Sequence, residues 1–120
     1  MKKKALIIGV SSQDGSYLAD FLLTKGYDVT GTIRRTTSYV RENIAHLAGK
    51  INIEALDLID SSSIVNVIRK VKPDEVYNIA SQSVPADSWT HPIYTGEVTA
   101  LGIVRVLEAV RMFAPKAKVY

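Results

Sequence analysis

The spacing of apolar and polar residues along this chain changes repeatedly, and each change marks an element. Ala5 to Val10 is an almost unbroken apolar run, the pattern of a strand buried on both faces of a parallel sheet. From Gly15 to Lys25 the apolar period becomes helical and places Tyr17, Leu18, Phe21 and Leu22 on one stripe, with Gly26 as a natural stop. Tyr27 to Ile33 predicts a second strand. A polar loop from Arg34 to about Glu42 follows, then a short helical stretch at Ile44 to Leu47 that ends at Gly49. Ile51, Ile53 and Ala55 alternate with Asn52 and Glu54, which predicts a third strand. Asp60-Ser61-Ser62-Ser63 is a capping cluster, and it opens a helix whose Ile64, Val67, Ile68 and Val71 share one face. Pro73 ends that helix, and Glu75 to Ala80 predicts a fourth strand. A loop from Ser81 to Thr90 leads into a long helix from about Ile93 to Met112, and Lys116 to Tyr120 reads as the start of a fifth strand.

Strands alternating with helical crossovers predict an α/β, doubly wound parallel sheet of the Rossmann-like, NAD(P)-binding kind, truncated at the start of the fifth strand. The expected strand order is 3-2-1-4-5, with ligands at the carboxyl ends of strands one and four, where the order reverses. A chain that stops as a strand begins is expected to belong to a longer protein, because a stub at a sheet edge invites association.

Composition narrows the chemistry. The 120 residues are 47% hydrophobic and 22% charged, an ordinary globular balance sufficient for one core. With no cysteine, neither disulfides nor thiolate metal sites are open to the chain. His46 and His91 lie far apart, so no metal site is expected. The formal charge of +3 is modest, and Lys2, Lys3 and Lys4 have no interleaved aromatics, which argues against nucleic-acid binding. No apolar stretch matches a membrane span or a secretory leader, so no membrane partner and a cytoplasmic location are expected.

The chemistry-bearing residues cluster at predicted strand ends. Gly9-Val10-Ser11-Ser12-Gln13-Asp14-Gly15 lies between a strand and a helix, where glycines admit an anion and the first helical N–H groups supply donors. Glycine also serves such turns for geometry alone; the strand–turn–helix context favours a phosphate cradle. Ser12 stands where backbone and pyrophosphate usually come closest, so its Cβ and hydroxyl must be accommodated. A negative φ allows its hydroxyl to cap the helix or to meet a phosphate, whereas a positive φ would strain it. Arg34 and Arg35 end the second strand, where NAD enzymes usually carry an acid for the ribose hydroxyl. Arginine there pairs with a 2′-phosphate, which favours NADP, and Thr36 and Thr37 add hydroxyls beside it; two solvated loop arginines are the plainer alternative. Asp57 and Leu58 form either an edge for adenine or a simple turn. Ile79, Ala80, Ser81, Gln82 and Ser83 are small or polar enough to meet a ribose or nicotinamide, or merely to start a loop.

At this point the chain resembles a known family. Gln13-Asp14-Gly15-Ser16-Tyr17-Leu18-Ala19, Lys25-Gly26-Tyr27, Gly31-Thr32-Ile33-Arg34-Arg35, Asp57-Leu58-Ile59-Asp60-Ser61-Ser62-Ser63, Val71 to Asn78 and Ala100-Leu101-Gly102 resemble the GDP-mannose 4,6-dehydratases. These are extended short-chain dehydrogenase/reductases. The resemblance implies NADP held by residues 9–14, 34–37, 57, 58 and 79–83, with Tyr94 matching a family tyrosine and Ser88 a serine near the substrate cleft. It implies a nucleotide-sugar substrate, GDP-mannose, and a redox-neutral lyase reaction. In that reaction hydride leaves C4, water is eliminated across C5 and C6, and hydride returns to C6. Residues 1–120 are then the NADP-binding part of such an enzyme, without its substrate domain.

The family's catalytic Tyr-x-x-x-Lys is absent from this chain. Tyr17, Tyr27, Tyr39, Tyr77 and Tyr94 are followed four residues later by Phe21, Gly31, Asn43, Ser81 and Val98, so no catalytic residue is assigned. Ser12 and Ser81 depart from the family pattern, and so does Val84-Pro85 where the family tends to have His-Val. Leu101, Ile103, Val104, Val106, Leu107 and Val110 make the long helix more apolar than one packing face needs. Either a homo-oligomer through the 93–112 helix or another helix of the parent protein would cover the excess. Trp89 and His91 read as loop packing residues. The alternatives are another family member, such as a sugar-nucleotide epimerase or reductase, or a non-catalytic NADP-binding module.

Overall fold

The computed structural model describes residues 2–34, 38–81 and 85–120, with 38–41 as backbone only. Among them, β1 (Lys4–Ile8), β2 (Asp28–Ile33), β3 (Asn52–Ala55), β4 (Glu75–Asn78) and β5 (Lys118–Val119) form one sheet in the order β3-β2-β1-β4-β5. Every pairing is parallel, with Ile7 beside Gly31 and Tyr77, and Ile8 beside Thr32 and Asn78. This is the doubly wound sheet expected from the alternation of elements. Its order reverses at β1, so the carboxyl ends of β1 and β4 open a crevice there.

β1 sits at the centre because its residues can be buried on both faces. Leu6 and Ile8 enter the layer formed by α2 (Ser61–Val71) and α5 (Gly102–Phe113), with Ile64, Ile68, Val76, Val106 and Val110. Ala5 and Ile7 enter the opposite layer, with Val10, Leu22, Val29, Ile33 and Leu47. α1 (Gln13–Thr24) and a 3₁₀ segment (Ser38–Leu47) cover that second side. The segment is tied down by Asn43 Nδ2, which donates to the Ser11 carbonyl at 2.9 Å, and by His46 Nε2, 2.9 Å from Asp20 Oδ1. α2 begins as its capping cluster predicts: the Asp60 carboxylate accepts from the Ser62 N–H at 3.0 Å. It stops at Lys72, which turns left-handed (φ 50°) just before Pro73.

Three expectations need correction, and β3 buries less than its alternation suggests. α1 does not bury the Tyr17–Phe21 stripe: Tyr17 is 63% and Phe21 55% exposed, and Gly15, Ser16, Ala19 and Leu22 face inward instead. Small residues win because the helix lies directly against the backbone of the glycine turn; a Cβ on Gly15 would come within 2.5 Å of the Gly9 carbonyl. In β3, Ile53 and Ala55 are exposed, since β3 is the sheet edge and the burial shifts to Leu56 and Leu58. Within the loop expected at 81–90, Pro85–Thr90 forms a short helix, α3. The long helix is not uniform: α4 (Pro92–Thr95) passes through a π segment (Gly96–Leu101) into α5. On its outer side Leu101, Val104, Leu107 and Met112 are all about half exposed, the apolar excess anticipated from sequence.

A candidate dinucleotide site at the carboxyl end of the sheet

The turn after β1 is shaped by residues that have little or no side chain. Gly9 adopts φ +91°, a conformation that favours glycine, and its Cα faces Ala80, whose Cβ would lie 3.0 Å from a Cβ placed there. The Ile79 and Ala80 N–H groups both donate to the Ile8 carbonyl, at 3.0 and 3.1 Å, so β4 and the turn are stitched together at the crevice. Val10 turns inward and lies over Gly31, where any Cβ would come within 2.5 Å of its methyl. The Gly9 and Val10 N–H groups donate to Thr32 Oγ1 (3.3 Å) and to the Thr32 carbonyl (3.1 Å).

Ser12 resolves the question its side chain raises. Its φ of −70° and ψ of 164° are ordinary extended values, and it is the N-cap of α1. Its Oγ accepts from the Gly15 N–H at 3.0 Å and donates to the Gly9 carbonyl at 2.9 Å. The hydroxyl's only proton is thereby used inside the turn, and the side chain folds back rather than across the helix end. Gln13 and Asp14 are exposed in the first turn, and their amides make no hydrogen bond among the described residues. A bare Gly9, a folded-back Ser12 and an open helix N-terminus fit the pyrophosphate of a dinucleotide, which needs donors and clearance rather than side-chain reach.

The other anticipated residues are placed as follows. Arg34 ends β2 and is exposed; its Nη1 donates to the Tyr94 hydroxyl at 2.6 Å, joining the β2 end to α4. Arg35, Thr36, Thr37, Gln82 and Ser83 lie outside the described residues. Asp57 Oδ1 accepts from the Ile59 N–H at 3.1 Å, and the Asp57 N–H donates to Ser63 Oγ at 3.0 Å, so its loop is internally braced. The Leu58 side chain is buried in the core, which leaves its backbone as the part that can meet a ligand. Ser81 is exposed at the crevice end of β4. Ser88 Oγ donates to the Pro85 carbonyl at 2.6 Å, a bond within α3. A cleft of about 670 Å³ lies beside Tyr94, between Ile59, His91, Ile93 and Glu97.

Sequence reasoning missed Asn43, which holds the Ser11 carbonyl, and the pair Arg105 and Glu97. A single arginine between the apolar pairs Ile103-Val104 and Val106-Leu107 was the available signal. No described helix is long and apolar enough to cross a membrane, and no described cluster of three or more His, Asp or Glu residues could hold a metal.

Comparison with known proteins agrees with this fold. Solved structures that resemble the chain include a Thermus thermophilus UDP-glucose 4-epimerase in complex with NAD, at 27% identity and a TM-score of 0.81 over 92% of this chain and 34% of that one. A Brucella ovis UDP-glucose 4-epimerase superposes with a TM-score of 0.82 at 20% identity over 98% of this chain and 34% of that one, a likeness of fold. Curated relatives include GDP-mannose 4,6-dehydratases from Vibrio cholerae, 47% identical over 93% of this chain and 32% of the relative. The Homo sapiens protein is 43% identical over 89% of this chain and 31% of its own length. The chain thus spans about a third of the length of the curated relatives it matches. A family model described as GDP-mannose 4,6 dehydratase matches residues 6–120, and the chain belongs to that family.

Proposed function

We propose that this chain is the NADP-binding part of a sugar-nucleotide 4,6-dehydratase, a lyase that converts GDP-mannose to GDP-4-keto-6-deoxymannose. The observation that carries the reading is the turn at the β1–β4 crevice, with Gly9 bare, Val10 turned inward, Ser12 folded back and the α1 N-terminus open. In this reading the amides of Gln13 and Asp14 hold the pyrophosphate. Arg34, braced by Tyr94, holds the 2′-phosphate together with Arg35, Thr36 and Thr37. The Asp57–Leu58 backbone borders the adenine, and residues 79–83 border the nicotinamide riboside. The cofactor supplies a reversible hydride acceptor for the sugar. This chain's residues bind and orient it, and Ser88 is assigned to the sugar side.

The preference for NADP follows from charge. A guanidinium offers a 2′-phosphate charge-assisted hydrogen bonds worth ~1.5–3 kcal/mol, and no acid stands at the β2 end to favour a bare ribose. The intact protein should therefore bind NADPH about 10- to 100-fold more tightly than NADH. Arg34→Ala combined with Arg35→Ala should remove most of that difference, as read by calorimetry. Incubated with GDP-mannose and NADP, it should release a 4-keto-6-deoxy sugar nucleotide without accumulating NADPH. Equal affinity for the two cofactors would refute the 2′-phosphate assignment, and an epimerised GDP-hexose would replace the dehydratase by the epimerase reading.

A further inference from the structure

Arg105 is an unusual presence in α5. Its side chain is only 21% exposed, yet it meets three acceptors drawn from two separate elements. Nη1 donates to the Leu58 carbonyl at 3.0 Å and to the Glu97 carbonyl at 3.0 Å, while Nη2 pairs with Glu97 Oε2. The β3–α2 loop is thus bolted to the helix that follows it in space. Gly102 makes the approach feasible: a Cβ there would lie 3.0 Å from the Leu58 Cβ.

The π segment explains how Arg105 reaches Glu97. Eight residues of regular α-helix leave two side chains about 80° apart around the axis, at about 100° per residue. A π turn inserts one residue into the register and reduces that offset to about 20°. Long helical side chains lean toward the N-terminus, so Arg105 extends back along one line to Glu97 and sideways to Leu58.

We propose that Arg105 is a positioning residue for the adenosine end of the cofactor: it fixes the Asp57–Ile59 loop at the distance from the helix that the adenine requires. The proposal rests on the NADP reading. The loop's other bonds, Asp57 to Ile59 and to Ser63, shape it internally or tie it to α2; the Arg105 bond fixes its backbone relative to the long helix, beside the apolar packing of Leu58 on Gly102.

The test uses the intact protein, Arg105→Met and Arg105→Lys, titrated with NADPH and with 2′,5′-ADP, which carries only the adenosine half. Arg105→Met should weaken both ligands by the same factor, about tenfold, since a charged hydrogen-bond donor to the loop is lost. At saturating NADP, kcat should stay near the parent's, so the change appears in affinity. Arg105→Lys keeps the charge but lacks the planar guanidinium fork that spans separated acceptors, so its affinity should fall between those of the parent and Arg105→Met. Parent-like affinity for both ligands in Arg105→Met would overturn the proposal, and so would a loss confined to NADPH. Should Arg105→Met fail to fold, Arg105→Lys decides: a loss of about threefold shared by both ligands supports positioning, and none overturns it. A parent protein that binds neither ligand overturns the NADP reading itself, which is a different result.

Discussion

Ser12 shows how a residue that breaks a familiar pattern can keep the pattern's geometry. Serine is compatible with its extended backbone, and its hydroxyl does two jobs inside the turn: it caps α1 and anchors Gly9. Ser12→Ala should cost ~1 kcal/mol, the usual value of a lost N-cap, whereas Ser12→Gly should cost only a few tenths. Urea denaturation of the two variants checks this, and equal losses would mean that the Gly9 contact matters more than the cap. Cofactor affinity should change by less than about twofold in either variant, because the hydroxyl proton is already engaged. Sequence spacing was enough to locate this turn and the arginine at the end of β2. It could not reveal the hydroxyl's two partners, because a rotamer is chosen by the atoms around it and those arrive only with the fold. Leu58 illustrates the same limit: its neighbourhood to Asp57 pointed to the loop, but its side chain belongs to the core.

The elements were legible wherever burial follows hydrophobicity, and misread where it does not. Tyr17 and Phe21 set the apparent face of α1, yet closeness to the glycine turn demanded Gly15, Ser16 and Ala19 there. Apolar size suggests burial, but backbone contact selects smallness. The π segment was equally invisible, since a single inserted residue shifts a helical period less than ordinary sequence noise does. Two glycines in this region make opposite predictions. Gly96 has helical angles and open space around its Cα, so Gly96→Ala should stabilise by ~0.5–1 kcal/mol through the lost freedom of the unfolded chain. Gly102 is also helical, but its added methyl would press on Leu58, and overpacking at ~1–3 kcal/mol outweighs the helix-propensity gain. Gly102→Ala should therefore lower the thermal midpoint while Gly96→Ala raises it, and shifts of the same sign would contradict the packing argument.

At the scale of the whole molecule, the amino end of the sheet carries a polar cluster unlike the crevice opposite. Tyr77 donates to Glu75 Oε2 at 2.6 Å and Tyr27 to Oε1 at 3.1 Å, while Tyr77 stacks on Tyr120 with ring centroids 5.1 Å apart. Burial, then the bond to the Glu75 carboxylate, pushes the Tyr77 hydroxyl well above its ordinary pKa, and the same causes raise Tyr27. A tyrosine held neutral only in the folded chain contributes fully below the unfolded value of about 10, and the contribution is lost as pH rises beyond it. Stability should thus fall from about pH 10 upward, and Tyr77→Phe should fall less steeply while starting ~1–3 kcal/mol lower at pH 7, where Oε2 of the buried Glu75 loses its donor and only Oε1 keeps one. Urea melts at pH 7 and at about pH 10.5 measure both, and an unchanged alkaline slope would count against the tyrosine's role. β1 has a further consequence. Its four apolar residues alternate between the two core layers, so neither layer can melt while the other keeps its central strand. A defect planted under α1 is therefore felt beneath α5, and the crevice at the end of β1 inherits the cooperativity of the entire sheet.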